Sequence, residues 1–121
     1  MLETTQMNPS NAFNDIECYK MVYKKDVNHC ISYVMGMEYT LGEENVPVEL
    51  NKSQNAFTDV DGSRFFIIAN GYHSYAKKED IQLCNNTVIV KCIIPSGSQY
   101  YADEYGKCFT STNIKIIEFI S

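Results

Sequence analysis

The apolar residues of this 121-residue chain fall in short runs separated by polar turn residues, and few runs have a helical period. Ile16–Tyr23 alternates, with Ile16, Cys18, Lys20 and Val22 on one side and Glu17, Tyr19, Met21 and Tyr23 on the other. Lys24–Asn28 reads as a turn, followed by strands over Cys30–Gly36 and Met37–Leu41. Gly42–Asn45 ends that segment. Turn signals then recur at Asn51–Asn55, Asp59–Gly62, Asn70-Gly71 and Pro95–Gly97.

Asp-Gly before an apolar run marks a hairpin turn leading into a strand at Arg64–Ala69. The acidic spacing around Asp59–Gly62 does not fit a calcium loop, because no glutamate closes it. Thr87–Ile94 is the strongest strand. Pro95–Gly97 is expected to fold Gln99–Ala102 back beside it as a hairpin, which sends Tyr100 and Tyr101 to opposite faces. Asp103–Lys107 reads as a loop and Asn113–Ile120 as the closing strand. Ser74–Leu83 is the one helix candidate, capped by Ser74, with Ala76, Ile81 and Leu83 as a thin apolar stripe. Pro47 makes Val46–Val48 an edge or an irregular link.

The expected fold is therefore mainly β (α+β). It is a compact antiparallel or split β-sheet, or a partial barrel, with one short helix near 74–83. Residues 1–14 are polar and read as a flexible arm, and residues 15–121 as a single β-rich domain.

Composition narrows the function more than it names it. A hydrophobic fraction of 45% and nine tyrosines against no tryptophan fit a folded β domain. The net charge of −5 argues against broad nucleic-acid binding, which needs a basic footprint. No apolar run is long enough to span a bilayer, and the first residues lack the basic and apolar regions of a secretory leader. The five cysteines are thus expected as reduced thiols. They contain no C-x-x-C pair, so no metal site or redox motif is indicated, and no cofactor is called for.

Candidate chemistry centres on His73, in Gly71-Tyr72-His73-Ser74-Tyr75. A histidine that follows a strand is well placed to line a cleft, as a hydrogen-bond donor or a base. The competing reading is a histidine held by hydrogen bonds at the sheet rim. Tyr72, Tyr75, Tyr19 and Tyr101 join His73 as candidate ligand- or partner-binding residues, since a tyrosine offers an apolar face and a polar tip. No spacing selects a catalytic nucleophile or a phosphate loop, and no catalytic residue is assigned.

Gly71-Tyr72-His73-Ser74, the run Val90–Tyr101 and Ile114-Lys115-Ile116 together resemble a "GFHS…CxIPxGxxYY…I-I" pattern. It occurs in small proteins of phages, prophages and gut-bacterial mobile elements. The similarity extends to Tyr19-Lys20, Tyr33-x-x-Gly36 and Glu38-Tyr39 and covers about residues 17 to 120. It implies a phage-encoded accessory or minor virion protein, located in the host cytoplasm or the virion and not secreted, that acts through a protein partner. More remotely, the order of these motifs is similar to the split sheet of ADP-ribosyltransferases, which implies a nucleotide-binding enzyme using His73 as the alternative. The position where that family carries its glutamate falls near Val90-Lys91, and a lysine there opposes such chemistry.

Overall fold

The structure is a computed structural model and describes residues 1–33 and 36–120. Among these residues the alternating runs form twelve strands. In chain order they are β1 (Leu2–Thr4), β2 (Ser10–Asn11), β3 (Ile16–Lys24), β4 (His29–Ser32), β5 (Glu38–Thr40) and β6 (Phe57–Thr58). β7 (Arg64–Ile68), β8 (Tyr72–Tyr75), β9 (Val88–Ile94), β10 (Gln99–Ala102), β11 (Cys108–Ser111) and β12 (Lys115–Phe119) follow. Residues 34 and 35, within the strand expected over Cys30–Gly36, lie outside the described residues.

The fold is mainly β, with antiparallel pairing in two sheets that do not close. The larger sheet has the order β12-β9-β3-β8-β11-β10-β2, with β4 and β5 attached to the far end of β3. The smaller has the order β1-β7-β6.

β3 and β9 are the spine, paired from Ile16↔Ile94 to Val22↔Val88. Alternation turns Cys18, Lys20 and Val22 of β3 and Val90, Cys92 and Ile94 of β9 into one interior face. Ile114, Ile116, Tyr39 and Tyr72 complete that core. Each fully buried aliphatic side chain contributes roughly 1.5–3 kcal/mol, so this face is the main source of stability. A second, smaller core of Leu2, Ile68 and Tyr101 joins the small sheet to β10 and β11.

Four local expectations change. The stretch Thr87–Ala102 is not a hairpin: β9 is flanked by β3 and β12, so neither of its edges is free for β10. The turn at Pro95–Gly97 instead carries the chain across to β10, which pairs with β11 and β2. Gly97 makes that corner at φ +89 and donates its N–H to the Ala12 carbonyl at 2.7 Å. The helix over 74–83 reduces to a single 3-10 turn, Lys78–Asp80. Ser74 and Tyr75 belong to β8, because the backbone hydrogen bonds to β11 outweigh a stripe too thin to bury a helix. β11 itself was not expected at all. Finally, the arm of residues 1–14 contributes β1 and β2, and Leu2 and Thr4 are buried. Thr4 Oγ1 donates to the Ala102 carbonyl at 2.6 Å, and the Gln6 side-chain oxygen accepts from the Ala102 N–H at 2.6 Å.

A cleft where the large sheet splits

One edge of β3 is paired with β9 from Ile16 to Val22, while its other edge changes partner. Tyr19 pairs with Tyr75 of β8, and Val22–Lys24 pair with β4. Between them, Lys20 and Met21 pair with neither strand on that edge. β8 and β4 diverge there, and the gap opens into a cleft of about 740 Å³. That volume lies in the range of small-molecule sites.

Ser32, Tyr33, Met37 and Tyr39 line one side of the cleft, and Gly71–Tyr75 with Phe65 and the β1 strand line the other. Asp59, Asp103, Glu104 and Tyr105 also border it. The lining is largely aromatic or apolar, with a few polar groups deep inside.

Lys20 is one of them. It follows the alternation of β3 inward and is buried, although its neighbours on that face are thiols and aliphatic groups. Its ammonium donates to the His73 carbonyl, which the split leaves without a ladder partner from β3. It also lies 5.7 Å from the centre of the Tyr39 ring. Burial lowers its pKa, and the Cys92, Cys18 and Cys30 thiols oppose that shift only in part. Among the described residues no carboxylate forms an ion pair with it.

Ser74 is the second. Carrying the Tyr19–Tyr75 register one residue further would set Ser74 opposite Lys20, so both sit where the split begins. Ser74 is buried, and its hydroxyl has no hydrogen-bond partner. The Cys18 thiol adjoins it and is slightly acidified by it, but the two do not meet in hydrogen-bonding geometry.

No family model, curated protein or solved structure matches the chain.

The sequence-selected residues divide. His73 lines the cleft, with Nδ1 2.8 Å from Thr110 Oγ1 and Nε2 3.3 Å from the terminal amine. An ammonium can only donate, so Nε2 accepts and Nδ1–H donates to Thr110. Burial, then the positive charges of the amine and Lys20, push the imidazole pKa down to about 4. Tyr72 also lines the cleft, but its hydroxyl donates to the Val46 carbonyl at 2.5 Å and its ring packs 6.4 Å from Tyr39. Tyr75 borders the cleft and is more exposed than either.

The other two lie elsewhere. Tyr19 faces away from the core side of β3 and donates to Glu17 at 2.7 Å, and Glu17 also pairs with Lys91 at 3.5 Å. Tyr101 is buried in the second core against Leu2 and Ile68, so it presents no binding face. Lys20, Ser74 and Tyr39 were not among the binding residues selected from the sequence. The one legible signal was a lysine on the otherwise apolar side of β3.

Two of the buried thiols are held in the protonated, weakly nucleophilic form. Cys92 is pushed well up by burial, and Cys30 is pushed up to about 11 by burial. Cys18 is shifted down, chiefly because it faces the Cys92 thiol across the strand pair. Among the described residues, no cluster of His, Cys, Asp and Glu is arranged to hold a metal, and no helix is long and apolar enough to cross a membrane.

The His73 geometry gives a pH prediction. Its folded pKa of about 4 lies below the ordinary 6.5, so folding keeps the ring neutral while the unfolded chain takes up a proton. The corresponding stability is complete above pH 6.5 and is lost as pH falls towards 4. Allowing for solvent screening of a half-buried ring, about 1–2 kcal/mol should disappear across that window. In urea melts from pH 7.5 downward, His73→Gln should lack this component. Parallel pH profiles for the two proteins would refute it.

Proposed function

We propose that this is a binding protein whose working part is the cleft between β4 and β8, and that its occupant is a small ligand with an aromatic or aliphatic body. The observation that carries this reading is the divergence of the two strands from β3, which leaves an aromatic-lined hollow with buried polar groups at its inner end. Sheets normally pair or cover such an edge. A gap that size, walled by Tyr33, Tyr39 and Phe65, has the form of a ligand site. This keeps the expectation of a protein that binds without catalysis, but it departs from the protein partner that the resemblance to phage and mobile-element proteins implies, because the cleft has the dimensions of a small-molecule site.

The enzyme alternative has less support. The His73 ring is neutral and its Nδ1–H is taken up by the Thr110 hydroxyl, so among the described residues it activates no nucleophile through that nitrogen. A nucleotide would bring several negative charges past Asp59, Asp103 and Glu104.

The test is a thermal-shift screen of amphipathic small molecules against the whole chain and against Ala69→Trp. Ala69 is exposed and lines the cleft, so an indole there fills the volume without entering either core. A ligand at a hundred times its Kd should stabilise the wild type by about 2.7 kcal/mol, which raises Tm by several degrees. Ala69→Trp should abolish the shift while keeping its own melt. Equal shifts in both proteins would place binding outside the cleft and overturn the proposal.

A further inference from the structure

The inner end of the cleft holds two groups with unmet hydrogen-bond donors, Lys20 and Ser74, and among the described residues no anion pairs with the first of them. The Lys20 ammonium has three N–H groups, and the His73 carbonyl takes one of them. The Ser74 hydroxyl is buried and donates to nothing. Leaving such donors unpaired in a low-dielectric setting is costly, and a buried cation calls for a counter-charge more strongly than a solvated one. Among the described residues the chain supplies neither.

We infer that Lys20 and Ser74 form a receiving site for the carboxylate head of an amphipathic monoanion, whose body lies against Tyr39, Met37 and Phe65. The inference rests on the cleft being a ligand site. A carboxylate supplies the acceptors that both groups lack, and it can take the ammonium on one oxygen and the hydroxyl on the other. The apolar walls favour a hydrocarbon or aryl body over a sugar.

The acids around the cleft narrow the class further. Asp59 and Glu104 are exposed, so their repulsion is screened by salt, whereas Lys20 is buried and its attraction is screened far less. One carboxylate at the inner end is therefore held. A polyphosphate would spread its charge along the acidic border and gain less.

The experiment is isothermal titration of the intact chain with phenylbutyrate, decanoate and indoleacetate, each beside its methyl ester. The wild type should hold at least one acid about tenfold or more tighter than the matching ester, the usual scale of a charged hydrogen bond. Lys20→Met should bring acid and ester to the same affinity, and Lys20→Arg should keep a preference for the acid. Ser74→Ala should weaken the acid several-fold and leave the ester unchanged. Amide shifts on addition of the acid should centre on Lys20, His73 and Ser74, a readout that needs no variant.

If acid and ester bind alike, and Ala69→Trp abolishes both, the cleft is a ligand site and the carboxylate assignment is wrong. If no acid on the panel binds, the carboxylate assignment falls, while the broad thermal-shift screen decides the cleft. If acids bind preferentially but Lys20→Met and Ala69→Trp leave them unaffected, the acid site lies elsewhere and this inference is overturned.

Discussion

Gly71→Ala is expected to destabilise the protein by about 3–5 kcal/mol, a large part of the 5–15 kcal/mol that holds an ordinary domain folded. Two independent effects combine. Gly71 adopts φ +105, a conformation that L side chains rarely take, which costs roughly 1–3 kcal/mol. A Cβ there would also stand 2.5 Å from Leu50 Cδ2, 2.5 Å from Thr110 Cγ2 and 3.3 Å from the Ser111 carbonyl oxygen. Leu50 can swing aside, but Thr110 is fully buried on β11 and Ser111 offers backbone, so relief means moving β8 from β11. Overpacking of this kind costs about 1–3 kcal/mol more. Gly97→Ala is the control. Its φ is +89 but nothing lies within 4 Å of the added carbon, so it should lose only the backbone part, roughly 1–3 kcal/mol. Urea melts of the two variants separate the terms, and equal losses would show that the close approach at Gly71 is relieved without cost.

Gly71 also matters to the site. It joins β7 of the small sheet to β8 of the large one, and it precedes Tyr72, His73 and Ser74 in the cleft wall. Displacing it moves Thr110, and with it the hydrogen bond that holds the His73 ring.

How much of this was legible follows from where each signal resides. β3 and β9 are long, and their interior residues alternate from Cys18 to Val22 and from Val90 to Ile94, so pattern alone locates them. Cys108–Ser111 is short and half polar, and its Thr110 and Ser111 are buried because β8 and β10 flank the strand, a fact of topology that no local window contains. The same holds for Thr87–Ala102. Its strands and turn are local, but whether they pair depends on whether β9 has a free edge, and β3 and β12 decide that. Tyr100 and Tyr101 do face opposite sides. Tyr100 packs edge-on against Phe109 while Tyr101 is closed off by β1, a strand in a segment that read as a polar arm.

The cleft was half legible. His73, Tyr72 and Tyr75 could be selected because aromatic and imidazole groups cluster after a strand. The split itself has no sequence signature, since it arises where β3 exchanges one neighbour for another between Tyr19 and Val22. Lys20 was visible only as an inconsistency, a charged residue in register with Cys18 and Val22. Such departures from pattern concentrate where a fold gives up stability for function.

That trade is measurable at Lys20, where Lys20→Met should give a more stable protein that has lost its ligand preference. Burying an amine without a counter-charge is unfavourable, and an unbranched apolar side chain of similar length fits the same channel. The gain should be roughly 1–3 kcal/mol near neutral pH, after the cost of leaving the His73 carbonyl without its donor. The sign with pH follows from the depressed pKa. The unfolded chain binds a proton at Lys20 that the folded chain holds less tightly, so the wild type is penalised below the unfolded value. As pH rises from the lowered folded value to the ordinary 10.5, that penalty disappears, and the gap between Lys20→Met and wild type should close. Other groups around the amine titrate in alkali too: Cys18 on β3, Cys92 on β9, Cys30 on β4 and Tyr39 on β5. The measured quantity is therefore the difference between the two proteins, in which titration that does not depend on Lys20 cancels. A Lys20→Met protein that melts lower than wild type at pH 7 would mean that the amine already has its anion within the chain, and the cleft would need no ligand to complete it.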